Sequence, residues 1–305
     1  MTKQMRADIM LLMVTLFWGV SYWLIDVSLA DVGPFTLNAL RFLIAFFIAV
    51  IFAFPKLKTV NRTTMKYSAI IGVALLFVYI GATFGVKYTS LSNAGFLCAL
   101  TVVITPILAY FFLKQKPEKK LAVVVVMCLI GIALLTLKEN LRPALGDLFC
   151  IMAAFAYAVD LLLTEIAIIR KKVDALQLGV FQLGFTGLFN LIISFFVETP
   201  TLPHSMDAWT AVLFLSVFCT GIAFIAQALA QQYTSASHVG VIFSLEPVFA
   251  GIVAYFLAGE ILSARAYVGA ALLVSSLFIM ELDIKKLVTS FANSTMIFLE
   301  NFRKN

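Results

Sequence analysis

Ten stretches of mostly apolar residues, most close to 20 long, follow one another along this chain, and a water-soluble fold has no single core that could hold them. They run 8 to 28, 35 to 54, 67 to 86, 93 to 113, 121 to 137, 145 to 166, 175 to 197, 209 to 229, 237 to 258 and 265 to 282. A hydrocarbon layer about 30 Å thick takes about 20 residues of helix per crossing, so each stretch has the length of one span. Apolar residues do not alternate with polar ones within them, which excludes a transmembrane barrel and indicates helices. Composition agrees, with 62% hydrophobic and 12% charged residues and a mean hydropathy of +1.03. The expected fold is an all-α membrane protein of ten transmembrane helices.

The chain also contains a copy of itself. Laid without gaps over Tyr88 to Gln115, the stretch from Tyr233 to Glu260 is identical at 11 of 28 positions: Tyr88, Thr89, Ser90, Ser92, Gly95, Leu100, Val103, Ile107, Ala109, Tyr110 and Phe111. A weaker match sets Asp8 to Val20 over Asp147 to Val159, with Phe17-Trp18-Gly19 above Ala156-Tyr157-Ala158. Spans one to five and six to ten are therefore two copies of one unit. Because the unit has an odd number of helices, the second copy enters the membrane from the opposite face, as an inverted repeat. The expected divisions are 1–138 and 145–282, followed by an amphipathic tail over 283–305 lying on the cytoplasmic leaflet.

The net charge of +6 does not call for nucleic acid, because the basic residues are dispersed among short connections. With the N-terminus in the cytoplasm, 17 of the 22 lysines and arginines fall on that side. Lys87, Lys138, Arg142 and Arg265 fall on the other, and Arg41 lies inside a span. The positive-inside rule then places both termini in the cytoplasm. Short loops favour a bacterial inner membrane. Cys98, Cys128, Cys150 and Cys219 fall in apolar runs without metal or disulfide spacing, and no cofactor is expected.

An ionisable side chain near the middle of a helix costs about 2.5 to 3.5 kcal/mol on insertion scales, so each needs a partner, a wet cavity or a function. Arg41, Asp160 and Glu246 are the clearest cases. Glu246 precedes Pro247, which frees a carbonyl one turn earlier, and Pro106 lies nearby in the other copy; the two prolines are candidate hinges. Helical spacing draws other residues into stripes: Thr15, Trp18, Tyr22 and Asp26; Tyr79, Thr83 and Lys87; Tyr157, Asp160 and Thr164; Thr220, Phe224, Gln227 and Gln231. One such stripe is ordinary interhelical bonding. Four together suit a central cavity, with Trp18, Tyr22, Arg41, Tyr79, Thr83, Tyr157, Asp160, Gln227 and Glu246 as candidate substrate-binding residues. For Arg41 the alternatives are neutralising Asp160 or Glu246, binding a substrate carboxylate, or snorkelling to an interface. His238 reads as a helix-end residue before a proton carrier, and Trp209 as an interfacial anchor.

Phe17-Trp18-Gly19, Leu40-Arg41-Phe42, Lys87-Tyr88-Thr89-Ser90, Ser92-Asn93-Ala94-Gly95-Phe96-Leu97 and Ser244-Leu245-Glu246-Pro247-Val248 closing on Gly259-Glu260 stand in this order. The pattern resembles the EamA-like permeases of the drug/metabolite transporter superfamily, over residues 8 to 282. The resemblance implies ten helices in two inverted five-helix repeats around a central cavity, and transport of small metabolites, commonly export of amino acids or related compounds. Leu-Arg-Phe and Leu-Glu-Pro recur across that family, so Arg41 and Glu246 serve architecture or cargo. Asp160 belongs to none of its motifs and is the better candidate for something particular to this chain. The first copy has Thr101-Val102 where Glu246-Pro247 stand in the second.

Together these features lead to a secondary transporter that alternates access by rocking one repeat against the other. Its expected partners are a small-molecule substrate, the lipid bilayer and, through Asp160 and Glu246, protons; its oligomeric state is open. An enzyme is disfavoured because no motif joins a nucleophile to its base. A membrane scaffold or scramblase without specific cargo is the alternative.

Overall fold

The computed structural model describes residues 2–89, 91–116, 119–136, 144–258 and 263–281. The expected tail over 283–305 and the Gly259-Glu260 end of the family motif lie outside the described residues. Every described element is helical, and in chain order they form ten units. They are α1 (Lys3–Leu29), α2 (Pro34–Leu57), α3 (Arg62–Tyr88), α4 (Leu91–Cys98 and Thr101–Leu113) and α5 (Lys119–Thr136). Then come α6 (Leu145–Glu165, continued by a π turn Ile166–Arg170) and α7 (Ala175–Val197). They are followed by α8 (Met206–Ser216, a π segment Val217–Ile222, then Ala223–Ala230), α9 (Ala236–Phe243 and Glu246–Ala258) and α10 (Ala264–Glu281). Eight of the ten contain a stretch long and apolar enough to cross a membrane; α10 is a shorter apolar helix over Ala264–Met280, and α5 packs along it.

Local chemistry sets most starts. Thr2, Asn61, Asp174, Ser205 and Ser235 each accept a hydrogen bond from an N–H in the first turn of α1, α3, α7, α8 and α9, filling donors that no carbonyl inside the helix can reach. Pro34 opens α2, where its missing N–H removes nothing the helix needs.

The pairing of helices is symmetric. α1 packs on α8 and α9, as α6 packs on α3 and α4; α2 packs on α8, as α7 packs on α3. The pairs α2–α7, α4–α9 and α5–α10 map onto themselves when each helix is exchanged for the one five places away. The two repeats thus face each other across the bundle. Lipid is as apolar as the helices, so association depends on close packing rather than on burial from water. Gly19 shows it: a methyl group there would lie 2.7 Å from the Phe249 Cβ and 2.9 Å from the Ala250 nitrogen, so α1 and α9 meet only because position 19 has no side chain.

The helix ends fall into two sets. At one end Asp31 accepts from the N–H groups of His204 and Ser205, the N–H and hydroxyl of Thr36 donate to Glu198, and Thr89 donates to Asp147. At the other, Asp8 meets His238, Gln177 donates to the Lys56 carbonyl, Glu165 accepts from Gln115 and Ala236, and Arg170 donates to the Leu113 carbonyl. Each contact joins loops that the sequence assigns to one face, as ten successive crossings require.

Candidate substrate-binding cavity

Two helices are broken at their midpoints, and the breaks fall at the same place in the two copies. α4 stops at Cys98 and resumes at Thr101; α9 stops at Phe243 and resumes at Glu246. In the gapless alignment of the copies Cys98 pairs with Phe243 and Thr101 with Glu246. Both breaks tighten into bonds three residues apart, from Leu100 N–H to Leu97 C=O in one and from Leu245 N–H to Ile242 C=O in the other. A hydroxyl reaches back at each: Thr101 to the Cys98 carbonyl, 2.9 Å, and Ser244 to the Val241 carbonyl, 2.6 Å. Such back-bonding competes with the helix ladder and favours a bend.

Pro247 is the second residue of the resumed α9, where its absent N–H matters little. In α4 the corresponding Val102 N–H donates to Ala99 C=O. Pro106 sits inside the continuous helix Thr101–Leu113, and the discontinuity lies at Ala99 and Leu100, where the i to i+3 turn forms.

Between the two breaks lies a cavity that offers about 80 Å³ to the centres of water-sized molecules. At about 10 to 15 Å³ per water this holds a handful of waters. Trp18, Tyr22, Tyr79 and Tyr157 of the stripes line it together with the intramembrane charges Arg41 and Glu246, so α1, α2, α3, α6 and α9 all reach the same space. Phe224 of α8 and Cys98 and Thr101 of α4 line it too. Trp18 packs tilted or edge to face, 4.7 Å from Phe243, 5.7 Å from Tyr157 and 5.8 Å from Phe224; Phe42 lies edge to face 4.6 Å from Tyr79, and Tyr157 stacks on Phe243 at 6.1 Å.

Thr83, Asp160 and Gln227 stand behind the wall. Thr83 donates to Asn38 Oδ1. Tyr157 donates its hydroxyl to Gln227 Oε1 at 2.7 Å, and Gln227 Nε2 donates to Asp160 Oδ2 at 3.1 Å. Asp160 is thus two hydrogen bonds from the cavity through Tyr157, fully buried, with its Oδ1 unpartnered. Spacing at i and i+3 puts Tyr157 and Asp160 on one face but does not say which reaches the open space.

Arg41 is the other buried charge, 1% exposed. Its Nε donates to Thr220 Oγ1 at 2.9 Å, its guanidinium lies 4.6 Å from the Tyr79 ring centroid, and Nη1 has no partner. Burial at this level overturns the snorkelling alternative. Among the described residues no carboxylate lies within ion-pair distance of Arg41, so neutralisation by Asp160 or Glu246 is not the arrangement here either.

The partner that holds Arg41 comes from a feature without a sequence signature. The π segment Val217–Ile222 adds a residue to the turn, a device often found where a helix serves a site. It presents the Cys219 carbonyl to Trp18 Nε1 at 2.9 Å and the Thr220 hydroxyl to Arg41. His238, in the first turn of α9, sets its Nε2 3.2 Å from Asp8 Oδ1 of α1.

The profile of the EamA-like transporter family matches the chain twice, over residues 5–137 and 144–282. The chain belongs to the EamA-like transporter family. This EamA-like protein is 30% identical over 285 residues to an uncharacterized transporter of Archaeoglobus fulgidus, covering 92% of the chain and 88% of that protein. It is 25% identical to the uncharacterized transporter YetK of Bacillus subtilis, covering 91% and 87%. A solved structure at 18% identity shares the fold, with a TM-score of 0.77 over 92% of this chain and 98% of that one.

Proposed function

We propose that this transporter carries small metabolites that bear both an acidic and a basic group, such as amino acids, by alternating access, and that export is its direction. The observation that carries the reading is the cavity between two broken helices, which holds one guanidinium with an unpartnered nitrogen, one carboxylate and a cluster of aromatic rings. Arg41 takes the cargo carboxylate, Glu246 its ammonium group, and Trp18, Tyr22, Tyr79 and Tyr157 its side chain. Discontinuous helices at the midplane are a recurrent way to bind cargo, because their ends expose backbone groups that a continuous helix consumes.

The moving units are the two repeats, 1–138 and 145–282, hinged at the breaks next to Thr101 and Glu246. Both termini lie in the cytoplasm of a bacterium whose inner membrane holds the protein, since that end of the bundle gathers Lys3, Arg6, Lys56, Lys58, Arg62 and Arg170 among others. Protons couple through Asp160, which senses the cavity by way of Gln227 and Tyr157.

Purified protein reconstituted in liposomes, tested against an amino-acid panel with and without a pH gradient, checks the reading. Saturable, structure-dependent flux supports it. Flux of lipid, or flux indifferent to cargo structure, favours a scramblase and overturns it. If Asp160→Asn kept the wild-type response to the gradient, proton coupling would lie elsewhere.

A further inference from the structure

The hydrogen-bonded chain that leads inward from the cavity ends on an oxygen with no partner. Tyr157 donates to Gln227 Oε1, and Gln227 Nε2 donates to Asp160 Oδ2 at 3.1 Å and reaches Gln231 Oε1 at 3.4 Å. Gln231 Nε2 in turn donates to the Leu161 carbonyl at 2.9 Å. Both amides and one carboxylate oxygen are thus in use, while Asp160 Oδ1 is not, in a fully buried residue. One turn along α6, Thr164 Oγ1 is unpartnered as well, in a residue only 1% exposed. Positions four apart lie one above the other on a helix, so the two oxygens share a face.

Thr164 also departs from the other threonines buried inside helices. Thr15 in α1, Thr105 in α4 and Thr186 in α7 each donate to the carbonyl four residues earlier, at 2.7 to 2.8 Å. The same carbonyl is open to Thr164, and its hydroxyl does not take it. A third unpartnered hydroxyl, that of Thr234, belongs to the connection between Gln231 and Ala236, which bond the Leu161 carbonyl and Glu165 of the same helix. Three of the seven buried side-chain atoms without a partner among the described residues therefore belong to this stretch of α6 and the connection that crosses it.

These oxygens lack a positive group. Among the described residues no lysine, arginine or histidine lies within ion-pair distance of Asp160. A carboxylate inside the membrane calls for a counter-charge, and Gln227 supplies only a dipole. One carboxylate balances one positive charge, and hydroxyl and carboxylate oxygens are hard donors, so the complement is a small monovalent cation.

We propose that Asp160 Oδ1 and the Thr164 hydroxyl form a sodium site at the inner end of the Tyr157–Gln227 chain. An ion there fixes the carboxylate that holds Gln227, and Gln227 fixes the Tyr157 hydroxyl at the cavity wall, so its presence is felt where cargo lies. Sodium and a proton take the same oxygen, and each excludes the other. That the ion drives transport rests on the transport reading above; that it binds does not.

Thermal unfolding of the full-length protein in neutral detergent, in a sodium-free buffer at one fixed pH, tests the site by titrating sodium chloride against potassium and choline chloride. Sodium about tenfold above its dissociation constant is expected to raise Tm by about 2–3 °C over choline, by mass action on the folded state, and potassium by less than half as much. Thr164→Val, which keeps the shape and removes the oxygen, and Asp160→Asn each abolish the rise, whereas Thr164→Ser retains it. No sodium rise across the titration, an equal rise with potassium, a rise that survives Thr164→Val, or a loss in Thr164→Ser overturns the proposal. If Thr164→Val loses its cooperative transition, Asp160→Asn and Thr164→Ser decide between the same outcomes. Metabolite flux without a sodium rise leaves the transport reading standing, and a sodium rise without metabolite flux leaves the site standing.

Discussion

The same break interrupts α4 and α9, yet the two copies reach it with different residues. In α4 the resumed helix begins Thr101-Val102, with a hydroxyl tied to the Cys98 and Ala154 carbonyls. In α9 it begins Glu246-Pro247. Both breaks carry the same i to i+3 turn, so neither the proline nor the acid is what makes it. The discontinuity belongs to the repeat, and the carboxylate is an addition on one side of the cavity. Glu246 in the first turn of the resumed helix also sits where the helix dipole favours a negative charge. One copy supplies architecture with a neutral side chain, and the other supplies the same architecture with chemistry.

That contrast is most exposed at its centre. Glu246→Gln keeps shape and loses charge, and a charge-assisted hydrogen bond contributes roughly 1.5–3 kcal/mol, so apparent cargo affinity should fall about tenfold to a hundredfold with little change in Tm. Thr101→Val at the matching position should leave affinity within about threefold. Equal losses in the two variants would mean that the copies are chemically equivalent.

The packing contrast comes next. In the weaker alignment of α1 with α6, Gly19 faces Ala158, which is buried without difficulty. Gly19→Ala should cost about 1–3 kcal/mol through overpacking against Phe249 and Ala250, read as a lower Tm. Ala158→Gly should cost no more than about 1 kcal/mol.

Arg41→Lys removes the planar group that both bonds Thr220 and lies against Tyr79. A loss of about 0.5–2 kcal/mol, up to roughly thirtyfold in affinity, is expected in binding assays. Pro247→Ala should be smaller still, within about threefold in flux, because the new N–H can donate as Val102 does in α4.

The smallest effect is at the end of the bundle where α1 leads into α2. The N–H groups of Ser205 and His204 hold the Asp31 carboxyl below its usual range. A carboxyl whose pKa is lowered on folding contributes stability above its unfolded pKa of about 3.9 and loses it as pH falls through the folded value. Wild type and Asp31→Asn should therefore differ slightly in Tm at pH 7 and converge in acid. A difference that grew in acid would contradict this role.

Much of the arrangement is written in local pattern. Apolar runs set the ten units, the gapless copy set the correspondence of α4 with α9, and helical spacing brought Trp18, Tyr22, Tyr79 and Tyr157 to one cavity. Depth within a face is not written there, which is why Asp160, Gln227 and Thr83 stand behind the wall they were expected to form. Nor is the π segment of α8, whose extra residue is stabilised by partners 202 and 179 positions away, Phe17 on Cys219 and Arg41 on Thr220. Pro106 lies inside the second half of α4, and the break itself, with the Thr101 hydroxyl on the Cys98 carbonyl and a tightened turn, comes five residues earlier. Thr101 was legible through its alignment with Glu246, and that was the signal to follow.

Cys98 lines the cavity and ends the first half of α4, whereas Cys128, Cys150 and Cys219 are buried. The rate at which a small maleimide alkylates Cys98, followed by mass spectrometry in the reconstituted protein, reports directly on whether cargo occupies the space between the breaks. A transported metabolite should slow the reaction several-fold at saturation, and the same protection in Glu246→Gln should need about tenfold to a hundredfold more metabolite. A metabolite that is carried at a saturable rate while Cys98 reacts as fast as in its absence would place the cargo site elsewhere in the bundle.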